Sequence, residues 1–256
     1  MFDIAAFDPA ALIPFILVGF AAQLVDGAMG MAFGVICNTL LVMFVGLPPA
    51  QASAKVHIVE TFTTAVSGLS HLAHGNVDRR LFFRLLIPGL IGGVTGAYLV
   101  TSLDGGTVKP FVLAYLTLMG FYLLYRGLRY PPKINQKPVL VEPLGLLGGF
   151  MDASGGGGWG PIVTSNLIVQ GVEPRRVIGT VSAVEFFLAA AISATFIAGL
   201  GLETFTMATI GLLIGGVAAA PVGAYLAKHI PVKPLLIMVG FVLTMTSLFG
   251  LYRILA

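Results

Sequence analysis

Two pairs of acidic residues occupy matching places in the two halves of this sequence. Asp26 and Asp152 each end an apolar run and open a glycine-rich stretch. Glu60 and Glu185 follow them at nearly the same distance in each half. Charge inside an apolar segment is costly, so such residues indicate function by default. Each aspartate could cap the helix that follows it or take part in proton coupling, and we favour capping.

The two glutamates would lie inside apolar helices, where protonation removes the cost of burying a charge. We therefore predict Glu60 and Glu185 as candidates for proton coupling, one on each of two access routes. The alternative is a structural carboxylate that pairs with a backbone donor or a nearby cation. The surroundings of the two glutamates differ, since His57 precedes Glu60 where Ser182 precedes Glu185.

The glycine-rich stretches DGAMGMAFGV and DASGGGGWGP could bring the backbone close to a ligand. A new helix is expected to begin near residues 29–34 and again near residues 158–161. Helix N-termini offer N–H groups and a positive dipole end, which suit an anion. Glycines also permit tight helix packing, but four in a row beside an aspartate inside the membrane favour a binding site.

We predict a substrate site from these two breaks and the polar side chains beside them. A single polar residue of this kind more often makes a helix–helix hydrogen bond than binds a ligand. The prediction therefore rests on the number of polar residues that cluster beside the breaks. The predicted substrate-binding residues are Asp26, Gly27, Gly30, Asn38, His57, Asp152, Gly155, Gly156, Gly157, Gly158, Thr164, Ser165, Asn166 and Ser182.

Neither a catalytic group nor a metal or cofactor is expected. Cys37 is the sole cysteine, and it lies in an apolar run. His71 and His74 are spaced for one helical face, but no third metal ligand accompanies them. A membrane-embedded enzyme would need a nucleophile–base pair or a metal cluster, and we find neither in the sequence.

The composition requires a membrane. The chain has 256 residues, of which 57% are apolar and only 10% charged, whereas soluble domains carry about 25% charged residues. Stretches with no charged residue, or with a single one (Arg126), approach the ~20 residues needed to cross a bilayer as a helix, and they are residues 85–102, 110–128, 205–226 and 234–251. Backbone in lipid must satisfy its own hydrogen bonds, which favours helices. We predict an all-α polytopic protein of the cell membrane, which is the inner membrane if the source is Gram-negative.

The sequence is duplicated. Gly46 and Pro49 match Gly171 and Pro174, and the tetrapeptide GAYL occurs in both halves. We predict a first repeat over residues 1–129, a polar linker over 130–142 and a second repeat over 143–256. The predicted apolar segments are 11–46, 56–73, 82–102 and 110–128, then 143–170, 177–199, 204–227 and 234–253. In each repeat the first segment is interrupted, as a re-entrant hairpin or a pair of short helices, and three transmembrane helices follow it.

The basic residues favour two inverted repeats. In that arrangement 11 of the 14 lysines and arginines face the cytoplasm, and parallel repeats would divide them 8 to 6. Insertion produces a cytoplasmic excess, so we predict the N- and C-termini outside and the linker inside. The same bias accounts for the net charge of +3, so we do not expect nucleic acid as a partner. The predicted outside residues are Lys55, Lys109 and Arg253, and the predicted cytoplasmic ones are Arg79, Arg80, Arg84, Arg126, Arg129, Lys133, Lys137, Arg175, Arg176, Lys228 and Lys233.

The motif GGGGWGP lies at Gly155–Pro161, and a less complete copy of it follows Asp26 in the first repeat. This repeated motif resembles that of the sulfite exporter TauE/SafE family. This family is also called the toluene-sulfonate uptake permease family, and the resemblance covers nearly the whole chain. It implies transport of sulfite, sulfonates or related sulfur-containing anions. The first-repeat version is poorer in glycine and has Val35 in place of the proline, which leaves the substrate open.

Inverted repeats with broken helices are typical of secondary transporters, whose site lies near the membrane midplane between the repeats. We therefore predict a secondary transporter, an exporter of a small sulfur-containing anion such as sulfite or an organosulfonate, with proton coupling as an option. An anion channel, or an importer of a different small anion, is the alternative. The expected partners are the small anion and membrane lipid, and a homo-oligomer is left open.

Overall fold

The computed structural model describes residues 9–129, 138–201, 206–226 and 232–255. Residues 1–8, most of the linker, and the predicted cytoplasmic Lys133, Lys137 and Lys228 lie outside the described residues. All regular elements in the described part are helical, which confirms the predicted all-α fold. The helices are α1 (Pro9–Met29), α2 (Phe33–Leu40), α3 (Pro49–Ala73), α4 (Arg79–Ser102), α5 (Gly105–Arg129), α6 (Val141–Gly155), α7 (Ser165–Val169), α8 (Pro174–Leu200), α9 (Met207–Leu226) and α10 (Val232–Leu255).

Each predicted broken segment is a pair of helices that includes a π-helical turn. In the first repeat, α1 ends at Met29, α2 begins at Phe33, and a π turn over Leu41–Val45 continues it. In the second repeat, α6 ends at Gly155, and a π turn over Gly160–Thr164 leads into α7. Such π turns are rare and are frequently found at functional sites.

Four stretches of helix are long and apolar enough to cross a membrane, judged over the described residues. They are Arg79–Ser102, Gly106–Arg129, Pro174–Leu200 and Ile237–Ile254. Their outer faces remain apolar: on α5, Phe111, Leu118 and Tyr125 are 72%, 68% and 56% exposed. Because seven residues make about two helical turns, these side chains form one stripe that suits lipid. The protein is therefore a multi-pass membrane protein.

The start of α3 differs from the prediction. We expected this helix to begin at residue 56, but α3 begins at Pro49, and Lys55 within it is only 3% exposed. Proline at the first helical position stabilises a start, because its missing N–H has no helical partner to lose and its φ is already helical. Pro174 does the same for α8.

The main packing partner of each long helix lies in the other half of the chain. Helix α1 packs on α9, and its repeat counterpart α6 packs on α4. Helix α3 packs on α8, and α5 packs on α10. A twofold relation between the halves would produce these reciprocal pairs. The α6–α4 pair is close because Gly92 lacks a side chain, and a Cβ there would collide with the carbonyl oxygen of Leu146.

The orientation of the two halves in the membrane stays a prediction, and single cysteines can test it. Cys37 is fully buried and can be removed as Cys37→Ser. In that background, Arg176→Cys should react with an impermeant thiol reagent only after the cells are permeabilised, and Leu103→Cys should react in intact cells. Both side chains are well exposed. Labelling of Arg176→Cys from outside would contradict the inverted arrangement.

Candidate functional site

The two aspartates cap the breaks, as the sequence predicts. Asp26 lies in the last turn of α1, and its Oδ1 accepts a hydrogen bond from the Phe33 N–H at 3.3 Å. Asp152 lies in the last turn of α6, and its Oδ1 accepts from the N–H groups of Gly158 and Trp159 at 2.7 and 3.0 Å. Each carboxylate thus satisfies backbone donors that the interrupted helix leaves unpaired.

The two breaks are in direct contact. The Asn38 side chain, on α2, donates to the Gly155 carbonyl at 2.8 Å. In the opposite direction, the Thr164 hydroxyl donates to the Gly30 carbonyl at 3.1 Å. The expectation that the breaks of the two repeats face each other is therefore confirmed. Passage of a substrate between them is a separate matter, which stays a proposal.

A small cavity lies where the breaks meet. Its volume is about 10 Å³, roughly the space of one water molecule. Sulfite or a sulfonate is larger, so binding of either would require the breaks to move apart. Four of the residues that line the cavity are acidic, and most of the others are small. The lining residues are Asp26, Ala32, Gly34, Val35, Glu60, Asp152, Gly157, Gly158, Gly160, Pro161 and Glu185.

The two glutamates share this cavity. We expected Glu60 and Glu185 on separate access routes, but α3 packs on α8 and places both on the wall of one cavity. Glu60 is 3% exposed. Its Oε2 accepts no hydrogen bond from any residue that the structure describes. A buried carboxylate oxygen without a donor is costly if the group is ionised, so Glu60 suits a group that gains and loses a proton.

His57 connects α3 to the end of α6. It is fully buried, and its Nε2 lies 3.1 Å from Asp152 Oδ2. Its Nδ1 lies 2.8 Å from the Ser53 carbonyl. The Ser53 hydroxyl in turn donates to the Ala153 carbonyl at 2.7 Å. Two residues one turn apart on α3 therefore bond to the capped end of α6, which belongs to the other repeat.

His57, Glu60 and Asp152 must also be considered as metal ligands, because one ligand atom of each lies within 4.8 Å of the others. The separations are unequal, however: His57 Nε2 is 3.1 Å from Asp152 Oδ2 and 3.9 Å from Glu60 Oε2. Bond lengths in tetrahedral zinc sites imply ligand separations of about 3.3 Å. We assign no metal to this group.

Several predicted ligands lie beside the cavity and make contacts within the protein. Ser165 donates to the Met31 sulfur at 3.5 Å, and Asn166 donates to the Ile162 carbonyl at 2.6 Å. Asn38 and Thr164 join the breaks as described above. The predicted residues that do not line the cavity are Gly27, Gly30, Asn38, His57, Gly155, Gly156, Thr164, Ser165, Asn166 and Ser182.

Five residues that line the cavity were not among the site residues predicted from the sequence. They are Ala32, Gly34, Val35, Gly160 and Pro161. The duplication contained a usable signal for two of them, because Gly34 and Gly160 each lie eight residues after the capping aspartate of their repeat.

A second cavity is much larger than the one at the breaks. A cavity of about 600 Å³ lies between α3, α4 and α8, with Leu69, Phe82 and Phe187 among its walls. Apart from Arg79, its lining is apolar or uncharged. In a membrane protein such a groove suits lipid tails, whereas the convergent polar groups and breaks surround the small cavity. We therefore take the small cavity as the candidate site.

Comparisons with known proteins agree with this architecture. Residues 15–250 match the family model described as sulfite exporter TauE/SafE. The chain is 42% identical over 237 residues to the probable membrane transporter protein YtnM of Bacillus subtilis (strain 168), covering 90% of this chain and 79% of that protein. No solved structure matches significantly. The chain therefore belongs to the sulfite exporter TauE/SafE family of membrane transport proteins.

Proposed function

We propose that the protein is a secondary transporter that exports a small sulfur-containing anion, such as sulfite or a short organosulfonate, with proton coupling. The observation that carries this proposal is the meeting of two capped helix breaks at a cavity with four carboxylates. The description of the matched family supports export of sulfite.

The aspartates explain how an acidic cavity could accept an anion. Asp152 already occupies the N–H groups of Gly158 and Trp159, which are the donors that a substrate oxyanion would use at a helix N-terminus. Asp26 occupies the Phe33 N–H in the same way. An anion can replace these carboxylates only if negative charge in the cavity is removed. Protonation removes it, so anion and proton enter the site together.

The glutamates are the first place to test this coupling. We propose that Glu60 and Glu185 take up protons during turnover. Glu60→Gln and Glu185→Gln keep the size of the side chain but hold it neutral. At least one of them should suppress flux driven by a pH gradient by about a hundredfold or more, the lower end of the usual effect of losing a proton-transfer group, while substrate binding remains measurable.

The measurement is flux of labelled sulfite, sulfate and short sulfonates into proteoliposomes, with and without a pH gradient. Glu173→Gln is the matched control, because this glutamate is well exposed and, among the described residues, forms its ion pair with Arg176 in the first turn of α8 at 3.4 Å. Its flux should equal that of the wild type. If the flux of both single glutamine variants equals that of the wild type and depends on pH in the same way, the proton-carrier proposal is wrong. Flux that never saturates and ignores the pH gradient would instead indicate a channel.

A further inference from the structure

His57 is held between two acceptors. Its Nδ1 faces the Ser53 carbonyl at 2.8 Å, and its Nε2 faces Asp152 Oδ2 at 3.1 Å. The Ser53 hydroxyl also lies 3.3 Å from Nδ1, but its hydrogen is already donated to the Ala153 carbonyl. A carbonyl can only accept a hydrogen bond, so Nδ1 must carry a hydrogen.

Counting protons then leaves one unassigned. With a hydrogen on Nδ1, a neutral imidazole would direct a lone pair from Nε2 at the Asp152 carboxylate, and two acceptors cannot bond to each other. A proton must therefore lie between Nε2 and Oδ2. Asp152 Oδ1 accepts from two backbone N–H groups, and such donors stabilise the ionised carboxylate. The arrangement is an imidazolium–carboxylate pair with the extra proton on Nε2.

Glu60 provides the exit for this proton. Its Oε2 lies 3.9 Å from His57 Nε2 and has no hydrogen-bond donor in the described part of the chain. The other titratable groups around the pair are Asp26 on α1, Cys37 on α2, Tyr115 on α5 and Glu185 on α8. For none of them does the structure show a hydrogen bond to His57.

We propose that the proton on His57 fastens α3 to the break after α6, and that its transfer to Glu60 releases the break for opening. In the transfer, the Nε2–H bond breaks and its electron pair stays on Nε2, and a carboxylate oxygen of Glu60 forms the new O–H bond. Neutral His57 then faces the Asp152 carboxylate with a lone pair, so the His57–Asp152 hydrogen bond between the two repeats is lost, and among the described residues the Ser53–Ala153 hydrogen bond is the one that remains between α3 and the end of α6. This inference rests on the proposed function and assigns its coupling proton to a specific atom.

The test is nitrogen-15 NMR of the full chain in lipid bilayers with labelled histidine. The chain has 4 histidines, and the His57 signals are identified by their absence from the spectrum of His57→Gln. Wild-type His57 should have hydrogen on both ring nitrogens and lose the Nε2 hydrogen as the pH is raised. In D152N the amide can keep the cap through its oxygen and donate from its nitrogen to Nε2. His57 should then be neutral, with hydrogen on Nδ1, across the pH range in which wild-type His57 loses its Nε2 hydrogen.

Asp26→Asn is the matched control, because Asp26 caps the equivalent break and no histidine among the described residues bonds to its carboxylate. D26N should leave the His57 spectrum and its pH response as in the wild type. In proteoliposomes, D152N should lose the stimulation of flux by a pH gradient, whereas any flux that D26N retains should still respond to the gradient.

Three results would overturn the inference. One is a His57 that carries hydrogen on Nε2 and none on Nδ1. Another is a wild-type His57 that stays neutral at the lowest pH at which the protein is folded. The third is a shift of the His57 signals on addition of Zn²⁺ that disappears in D152N, which would replace the proton by a metal ion. Because the spectra need no substrate, failure of sulfite flux with the expected spectra would reject only the proposed function.

Discussion

Gly157→Val is expected to abolish transport while the protein still inserts into the membrane. Gly157 has φ +143°, a conformation that side chains rarely adopt, and a Cβ there would collide with the Val35 N–H and lie 2.9 Å from Val35 Cα. The strain costs about 1–3 kcal/mol, and the collision with backbone forces the two breaks apart. Insertion depends on segment hydrophobicity, which this change does not reduce. Flux in proteoliposomes, and the amount of protein in the membrane fraction, measure the two effects.

Gly46→Ala is the matched control for this prediction. Gly46 also has a positive φ, +78°, but a Cβ there would meet no described atom within 4 Å. Alanine at this position should cost about 1–2 kcal/mol of stability from the backbone conformation alone and leave flux near the wild-type level. Full flux in Gly157→Val would mean that the glycine run serves only for packing and that no substrate passes the contact between the breaks.

Trp159→Ala is expected to give the largest loss of stability. Trp159 is fully buried and donates from its ring N–H to the Val181 carbonyl at 3.3 Å. Its ring fills the space beside Gly89 and Gly148, where a Cβ would approach it to 2.9 and 3.4 Å. Truncation of such a side chain typically costs about 3–5 kcal/mol. Thermal unfolding of the purified protein in detergent, followed by circular dichroism, measures the change.

Two further variants separate packing from hydrogen bonding. Trp159→Phe keeps most of the ring volume and loses the N–H, so it should cost about 1–2 kcal/mol. Phe111→Ala removes an aromatic ring that is 72% exposed on the lipid-facing stripe of α5, and it should change stability by about 0.5 kcal/mol or less. Equal thermal stability of Trp159→Ala and Phe111→Ala would contradict the role of Trp159 as a core residue between α4, α6 and α8.

The sequence was sufficient for features that local composition encodes. The membrane class follows from the apolar fraction, and the helices follow from the need to satisfy backbone hydrogen bonds in lipid. Both capping aspartates were predictable, because an acidic residue before a break bonds to N–H groups only a few positions ahead. The start of α3 was predicted too late in the chain although Pro49 marks it. The residues that follow Pro49 are partly polar, and the helix boundaries were predicted from apolar stretches.

Only the tertiary structure could decide which groups meet. His57 and Asp152 are 95 positions apart in the chain, and their contact depends on α3 reaching the end of α6 in the other repeat. Likewise, Glu60 and Glu185 share one cavity because α3 packs on α8, a pairing that no local spacing predicts. Between apolar helices in a membrane, hydrophobicity does not choose the partner. Close steric fit chooses it, at places such as Gly92 against Leu146, and that fit exists only once the whole chain has folded.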